Sequence, residues 1–342
     1  MNLDEVKRTI QDFFQENTVT IVGSGLSAAE GIPGMSALAE ELQAKLPSML
    51  EDPSDLREWD KISLDLSSGI GLEQALHNTK PTHTIEESIR KTTAKFIGAA
   101  ESKILHNIIL GSKVLRFSKY ILHFNIRNNG LVVITTNYDR LIEYACEANN
   151  LRIDSLFVGK NFACFCPDQS KYMFCSGIKK RGGKSIAEFA PRITVLKPHG
   201  CLSWHMLGGT PYSIPQASFE DSLIITPGLN KYKEGYSDPF DTHRSRANGA
   251  IDAAQRYIII GYGFNDDHLE THLIPQLQNG KPALILSYGL SDKTKDLIKS
   301  CKNITAICCK DAEDTLVVTQ SGDFSFSGIN LWDLETMLEE VF

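Results

Sequence analysis

No apolar run in this 342-residue chain approaches the roughly 18 residues that would span a bilayer, so no membrane-crossing helix is expected. The opening stretch MNLDEVKRTIQDFF carries charges throughout and has no apolar centre, so it does not read as a secretory signal. A cytoplasmic protein with no membrane partner is the expectation. Positive charge is in deficit: 35 Lys and Arg against 42 Asp and Glu give a net charge of −7. General nucleic-acid binding is not expected of such a chain. Internal repeats and low-complexity tracts are absent, which excludes a solenoid or a linker protein. The eight cysteines do not suggest a disulfide framework. In a chain long enough to bury its own core they read as reduced thiols. The remaining composition, 42% hydrophobic and 23% charged, is that of a globular protein with one large or two ordinary domains.

Short β-rich runs recur along the chain: Thr18–Val22, Leu131–Thr135, Ile193–Leu196, Leu223–Thr226, Tyr257–Ile260, Ala283–Ser287 and Ile304–Cys308. Helical patterns separate several of them. Continuous apolar strands alternating with helices predict a doubly wound, mostly parallel α/β sheet covered on both faces. Residues 50–128 differ. They lack β-branched runs, and Ile89, Phe96, Ile97, Ile104, Leu105 and Ile108 recur at three- and four-residue spacing. The expected organisation is therefore an α/β domain from 1–49 and 129–342 with an inserted helical module at 50–128. Residues 150–190 read as loop or hairpin, Ser36 as the cap of a helix ALAEELQAKL, and 330–341 as a final helix.

Gly23-Ser24-Gly25-Leu26-Ser27-Ala28 fits G-x-G-x-x-G/A directly after a strand and before a helix. Glycines there allow a tight turn and close approach to a phosphate, and a helix N-terminus offers free N–H groups. A dehydrogenase of ordinary layout would place an acidic residue at the end of a second strand about 20 positions later. Glu40 and Glu41 lie in a helical run instead, so a dinucleotide fits and that layout does not. Three further strands end in polar clusters: Asn137-Tyr138-Asp139, His199-Gly200, and Gly261-Tyr262-Gly263-Phe264-Asn265-Asp266-Asp267. Ligands of open parallel sheets bind at the carboxyl ends of strands, so four loops are expected to converge on one crevice. Taken singly, Asn137 could cap a helix, His199 could be a core histidine, and Asp266 and Asp267 could answer a helix dipole.

In their order and spacing, GSGLSAAEGIP, TTNYD, KPHG and the late strand ending in GYG resemble the sirtuin-like NAD-binding family. The resemblance covers roughly 18–287. It implies that Gly23, Ser24, Gly25 and Ser27 line the NAD pyrophosphate and ribose, that Asn137 and Asp139 lie at the nicotinamide ribose, and that His199 is the catalytic base. Gly261, Tyr262 and Gly263 would sit near the adenosine half. Two departures from the deacylating members stand out. Gly34-Met35-Ser36 replaces the Asp-Phe-Arg that follows G-I-P, and no cysteine lies between His205 and Tyr257, where a zinc module would be. The chain thus looks similar to the bacterial antiphage-defence branch that hydrolyses NAD to ADP-ribose and nicotinamide. That likeness implies NAD as substrate with no other cofactor and no metal, catalysis by Asn137 and His199, and control through a homo-oligomer or a separate sensor or activator protein. An NAD-dependent protein deacylase and a non-catalytic NAD or ADP-ribose sensor are the alternatives.

Competing motifs are weaker. Gly177–Ser185 imitates a P-loop, but an additional glycine separates the second Gly from Lys184. His268 and His272 have zinc-compatible spacing, but the intervening glutamate is out of place for a metalloprotease. Ser203 lies between His199 and His205 without the G-x-S-x-G turn that a serine hydrolase of the α/β type needs.

Overall fold

The computed structural model describes residues 1–126, 130–215, 221–227 and 237–342. In chain order its elements begin α1 (Leu3–Gln11), β1 (Thr18–Val22), α2 (Ser24–Glu30), α3 (Met35–Lys45), α4 (Pro53–Ser67), α5 (Leu72–Asn78), α6 (His83–Ile109) and α7 (Arg116–Ile121). There follow β2 (Leu131–Thr135), α8 (Leu141–Ala148), β3 (Ile153–Asp154), β4 (Phe157–Val158), β5 (Ala163–Phe165), α9 (Pro167–Ser170), β6 (Cys175–Arg181), β7 (Lys184–Phe189), β8 (Ile193–Leu196), β9 (Trp204–Leu207) and β10 (Thr210–Ser213). The last third holds α10 (Phe240–Ala253), β11 (Arg256–Ile260), α11 (Asp267–Gln278), β12 (Ala283–Ser287), α12 (Asp292–Ser300), β13 (Ile304–Cys309), β14 (Thr315–Thr319), β15 (Gly322–Phe326) and α13 (Leu334–Val341).

All five residues of β1 are buried, as befits a β-branched strand covered on both faces. It is an interior strand, between β11 and β2, of a nine-stranded sheet of order β15-β14-β13-β12-β11-β1-β2-β8-β3. The strands from β13 to β3 run parallel, and β14 and β15 add an antiparallel edge. Along β8-β2-β1-β11-β12-β13 the order is 3-2-1-4-5-6, the Rossmann arrangement. The direction of winding reverses between β1 and β11. Register aligns the ends of neighbouring strands: Val22 pairs with Ile260 on one side and Thr135 on the other, and Ile134 pairs with Leu196. The loops after β1, β2, β8 and β11 therefore leave the sheet at one level. The expected second strand of the first half is present as β2, but a helical excursion of more than a hundred residues separates it from β1.

Helices form two apolar cores on the faces of the sheet, with α1, α7, α8 and α13 on one and α10, α11 and α12 on the other. A third core is purely helical, joining Leu38 and Leu42 of α3 to Trp59, Ile62, Leu76, Ile85 and Ile89. At 1.5 Å per residue the 27-residue α6 is about 40 Å long, and it bridges two cores. Its first half supplies Ile85 and Ile89 to the helical core, and its second half supplies Ala94, Ile97 and Ile104 to a sheet face. Packing thus groups α3 with the helices that follow it and places α7 on the sheet. The module boundary expected at 49/50 lies between members of the third core, and the one at 128/129 lies outside the described residues.

Other local expectations differ from what is found. Gly34, not Ser36, is the N-cap of α3, with Ser36 inside the first turn. Leu223–Thr226 is no sheet strand; Ile224 makes a single bridge to Gly200. The P-loop imitation is a β-hairpin, whose two-residue turn Gly182-Gly183 takes φ of 57° and 77°. A four-stranded antiparallel sheet, β4-β5-β10-β9, precedes α10. All eight cysteines are free, and no helix among the described residues is long and apolar enough to cross a membrane.

At the switch point the backbones of two loops touch. The Gly25 N–H donates to Gly261 O at 2.9 Å, and a Cβ on Gly25 would lie 2.7 Å from the Gly261 Cα. Gly261 also takes a left-handed φ of 58°. Gly25→Ala is expected to cost about 1–3 kcal/mol through this overpacking, measured as a lower urea midpoint at unchanged m-value. A neutral result would mean the two loops can separate freely.

Candidate functional site

The four aligned loops enclose a cleft of about 280 Å³. Gly23, Ser24, Ser27, Asn137, Asp139, His199, Tyr262 and Gly263 line it. Gly25 and Gly261 do not; they are engaged with each other at the base of the loops. Nor is the glycine loop a ring of free donors. The N–H groups of Gly23, Gly25 and Leu26 bond to Ile260 O, Gly261 O and Gly23 O. Ser24, exposed at the start of α2, and Ser27 are the polar side chains this loop presents to the cleft.

Asn137 is held by both neighbours of that loop. Its Nδ2 donates to Gly23 O at 2.9 Å and to Ser27 Oγ at 2.7 Å. Ser27 Oγ in turn donates to Asp139 Oδ2 at 2.7 Å, and Asp139 Oδ1 accepts from the Leu141 N–H. Donation by Asn137 through its amide nitrogen leaves the carbonyl oxygen of the amide as an acceptor. Burial raises the Asp139 carboxyl above the usual carboxylate range, against the pull of Lys197 and the Ser27 hydroxyl.

Two buried ion pairs fix the loops from behind. Lys197, two residues before His199, is almost fully buried; its Nζ donates to Asp139 O and lies 3.2 Å from Glu143 Oε1. Burial alone would lower its pKa, but Glu143 and Asp139 outweigh that and raise it, so it stays charged. On α6, Glu101 accepts from the Arg140 main-chain N–H and, at 2.8 Å, from Arg140 Nε, and also from the Tyr144 hydroxyl. Breaking such pairs leaves an uncompensated buried charge. They tie the loop after β2 to the loop after β8 and to the helical excursion.

His199 is held through its backbone and its ring. Its carbonyl accepts from Ile225 N at 2.9 Å, and Ile225 O accepts from the Tyr138 hydroxyl at 2.6 Å. This is the structural use of the run misread as a strand. The ring Nε2 lies 2.6 Å from Asp266 Oδ2. Gly200 follows with φ of 90°, and a Cβ there would meet Leu223 O at 2.1 Å, so H-G is a backbone requirement as well as a motif.

Several lining residues were not singled out from the sequence. Leu38, Glu73 and Ile97 come from helices of the excursion and carry no local signal. Tyr138 sits within the TTNYD motif, and Asp266 within the polar cluster after β11, where a capping role hid its second contact. His268 and His272 do not face one another across a metal; His272 Nδ1 pairs with Asp252 at 2.9 Å. Among the described residues, no group of three or more His, Cys, Asp or Glu is arranged to hold a metal ion.

The class defined here is a Rossmann-type α/β fold with a polar cleft at the switch point of its sheet. Residues 131–283 match the family model of the SIR2-like domain. The match contains Asn137, Asp139, His199 and the loop after β11, and begins after the glycine loop. Among solved structures the chain is similar to a Sir2 homologue–NAD complex, at 14% identity over 89% of this chain and 87% of that one, with a TM-score of 0.39. It is also similar to Sir2Tm bound to a propionylated peptide, at 15% identity over 86% and 90%, with a TM-score of 0.38. Comparison with curated proteins finds no match.

His243 lies directly behind the site, its ring tilted by 36° against Trp204 at 4.5 Å between ring centroids, its Nδ1 accepting from Lys197 N. Burial, with Arg246 and Lys197 nearby, pushes its pKa down from 6.5 to about 3. The unfolded chain therefore binds the additional proton between those values. Stability from this group is full above pH 6.5 and falls as pH drops toward 3, with a slope of up to about 1.4 kcal/mol per pH unit. Urea unfolding at pH 7 and pH 5 should register this loss, and His243→Phe should flatten the slope whatever its effect at pH 7. An unchanged slope would show that His243 is not the group responsible.

Proposed function

We propose that the cleft is an NAD glycohydrolase site, cleaving NAD to ADP-ribose and nicotinamide. The observation that carries the reading is the meeting of Asn137, Ser27 and His199 in one cleft at the switch point. The match of residues 131–283 to the SIR2-like domain supports NAD as the ligand. Hydrolysis rather than deacylation is favoured by two sequence departures, Gly34-Met35-Ser36 after G-I-P and the cysteine-free stretch between His205 and Tyr257.

The reaction breaks the bond from ribose C1′ to the pyridinium nitrogen. The electron pair leaves with the ring, so nicotinamide departs neutral and no general acid is needed. The ribose left behind resembles an oxocarbenium ion. In the proposed roles Asn137, its nitrogen fixed by Gly23 and Ser27, turns its amide oxygen toward the ribose or the attacking water. His199 accepts the proton of that water as its oxygen bonds to C1′. Ser24, Ser27 and Asp139 lie on the phosphate and ribose side, with Tyr262 and Gly263 toward adenosine and Gly25 and Gly261 shaping the loops. The proposal includes the division into an α/β unit of 1–49 and 129–342 and a helical module of 50–128. It extends to a cytoplasmic, regulated effector that depletes NAD in bacterial antiphage defence. Control would come from self-assembly or a separate activator, and the exposed apolar residues Ile109, Leu110 and Val114 at the end of α6 are a surface suited to such a contact.

Nicotinamide release from NAD, measured for the purified protein and for whatever complex co-purifies with it, tests this. His199→Ala and Asn137→Ala should each lower turnover by at least about 100-fold while melting within a few degrees of the parent. Turnover at the parental rate in both variants would remove the assignment. O-acyl-ADP-ribose formed from an acylated peptide would replace it with deacylation, and saturable binding of intact NAD with no release would replace it with a sensor. Light scattering across a concentration series, with and without Leu110→Glu, should show assembly that the charge abolishes.

A further inference from the structure

We infer that Asp266 is a positioning residue for His199, holding its Nε2–H and thereby making Nδ1 the ring nitrogen that accepts a proton. The inference rests on the reading of His199 as the base. The contact is direct, 2.6 Å between Nε2 and Asp266 Oδ2, and both side chains are largely shielded from solvent. A carboxylate accepts only, so the nitrogen facing it must carry the hydrogen, and in the neutral ring the lone pair is then on the other nitrogen.

The carboxylate is itself held rigidly. Asp266 caps α11, its Oδ1 accepting from the His268 and Leu269 N–H groups, while its own N–H donates to Glu270 Oε1 at 2.8 Å. One oxygen thus serves the helix, and the other lies at ion-pair distance from the histidine ring. The preceding loop is built to a single shape. Phe264 is buried with φ of 56°, a conformation costly for an aromatic residue, and its ring packs on Tyr262 at 5.2 Å. His199 and Asp266 come from loops after different strands, β8 and β11, so the pair also spans the switch point.

The ionisable groups around the pair are mixed. Glu270 and Asp267 lie on α11, with Lys293 of α12 at 3.6 Å from Glu270 and 4.0 Å from Asp267. Tyr262, Asp139 and Glu73 line the same cleft, and Lys197 precedes His199 on its own loop.

Asp266→Asn keeps a capping oxygen and removes the charge; Asp266→Ser keeps the cap and removes the reach to His199. Nitrogen-15 NMR of the ligand-free protein, with His199→Ala to assign the signal, reads the tautomer directly. The parent should show the Nε2–H tautomer. Asp266→Asn, which keeps its oxygen on the helix and so turns an NH2 toward the ring, should move the ring toward the Nδ1–H tautomer, and Asp266→Ser should mix the tautomers. In nicotinamide release, Asp266→Asn should lower kcat at least tenfold with KM little changed. A parental Nδ1–H tautomer, or the same tautomer in all three proteins, would overturn the inference. So would faster turnover in Asp266→Asn, which would make the contact a restraint on the base. If the parent releases no nicotinamide, the functional reading fails, while the NMR result still decides the pair.

Discussion

The cleft depends on a backbone contact that only glycine permits. At the switch point the loop after β1 and the loop after β11 meet at Gly23, Gly25 and Gly261, close enough that any side chain at the first two would strike main-chain atoms of the loop opposite. The contact does more than let two loops pass. It uses the Gly25 N–H as a donor to Gly261, and the polar side chains this loop turns to the cleft are Ser24 and Ser27. With that separation fixed, Ser27 reaches Asn137 and Asp139 on one side, and Tyr262 and Asp266 stand on the other. The glycines of this loop position polar neighbours.

Behind the cleft, charge is used where apolar packing would have been the simpler solution. Lys197 with Glu143 and Arg140 with Glu101 are ion pairs taken almost wholly out of water. Pairs of this kind contribute little net stability, because desolvation offsets most of the attraction, but removing one partner is expensive. Their geometric effect is what matters for the site. Each joins residues distant in sequence, and together they lock the loops bearing Asn137 and His199 to one another and to α6. The geometry of the cleft is thereby coupled to the helical excursion. Leu38, Glu73 and Ile97 of that excursion also line the cleft, so a force on those helices has a direct route to the site.

Much of this was legible from local pattern. Thr18–Val22, Leu131–Thr135, Ile193–Leu196 and Ala283–Ser287 announce strands because β-branched runs bounded by polar or glycine residues have few other uses, and parallel strands must be buried on both faces. That the loops after them gather at one edge follows from parallel geometry. The antiparallel strands at 315–326 and the small sheet around 157–213 went unread, since short strands with exposed faces carry weak periodicity. Leu223–Thr226 was read as a strand because its composition is that of one. Its actual task is to bond the backbone of His199 and the hydroxyl of Tyr138.

Taken alone, the amino-acid sequence determined the alternation of strands and helices and the carboxyl-edge location of the polar clusters, while the pair Asn137 and His199 was implied by the resemblance of its motifs to a known family. These are properties of short segments, set by side-chain shape, period and turn chemistry. Three things were decided only in the tertiary structure. The first is where the helical excursion divides, because α6 is amphipathic toward two cores at once and its period cannot say which core each turn meets. The second is which glycines touch each other, because that depends on the spacing of β1 and β11, strands more than 230 residues apart. The third is the partner of His199, since Asp266 answers equally well to a helix N-terminus, and nothing local in sequence reveals that its second oxygen faces a ring from another strand.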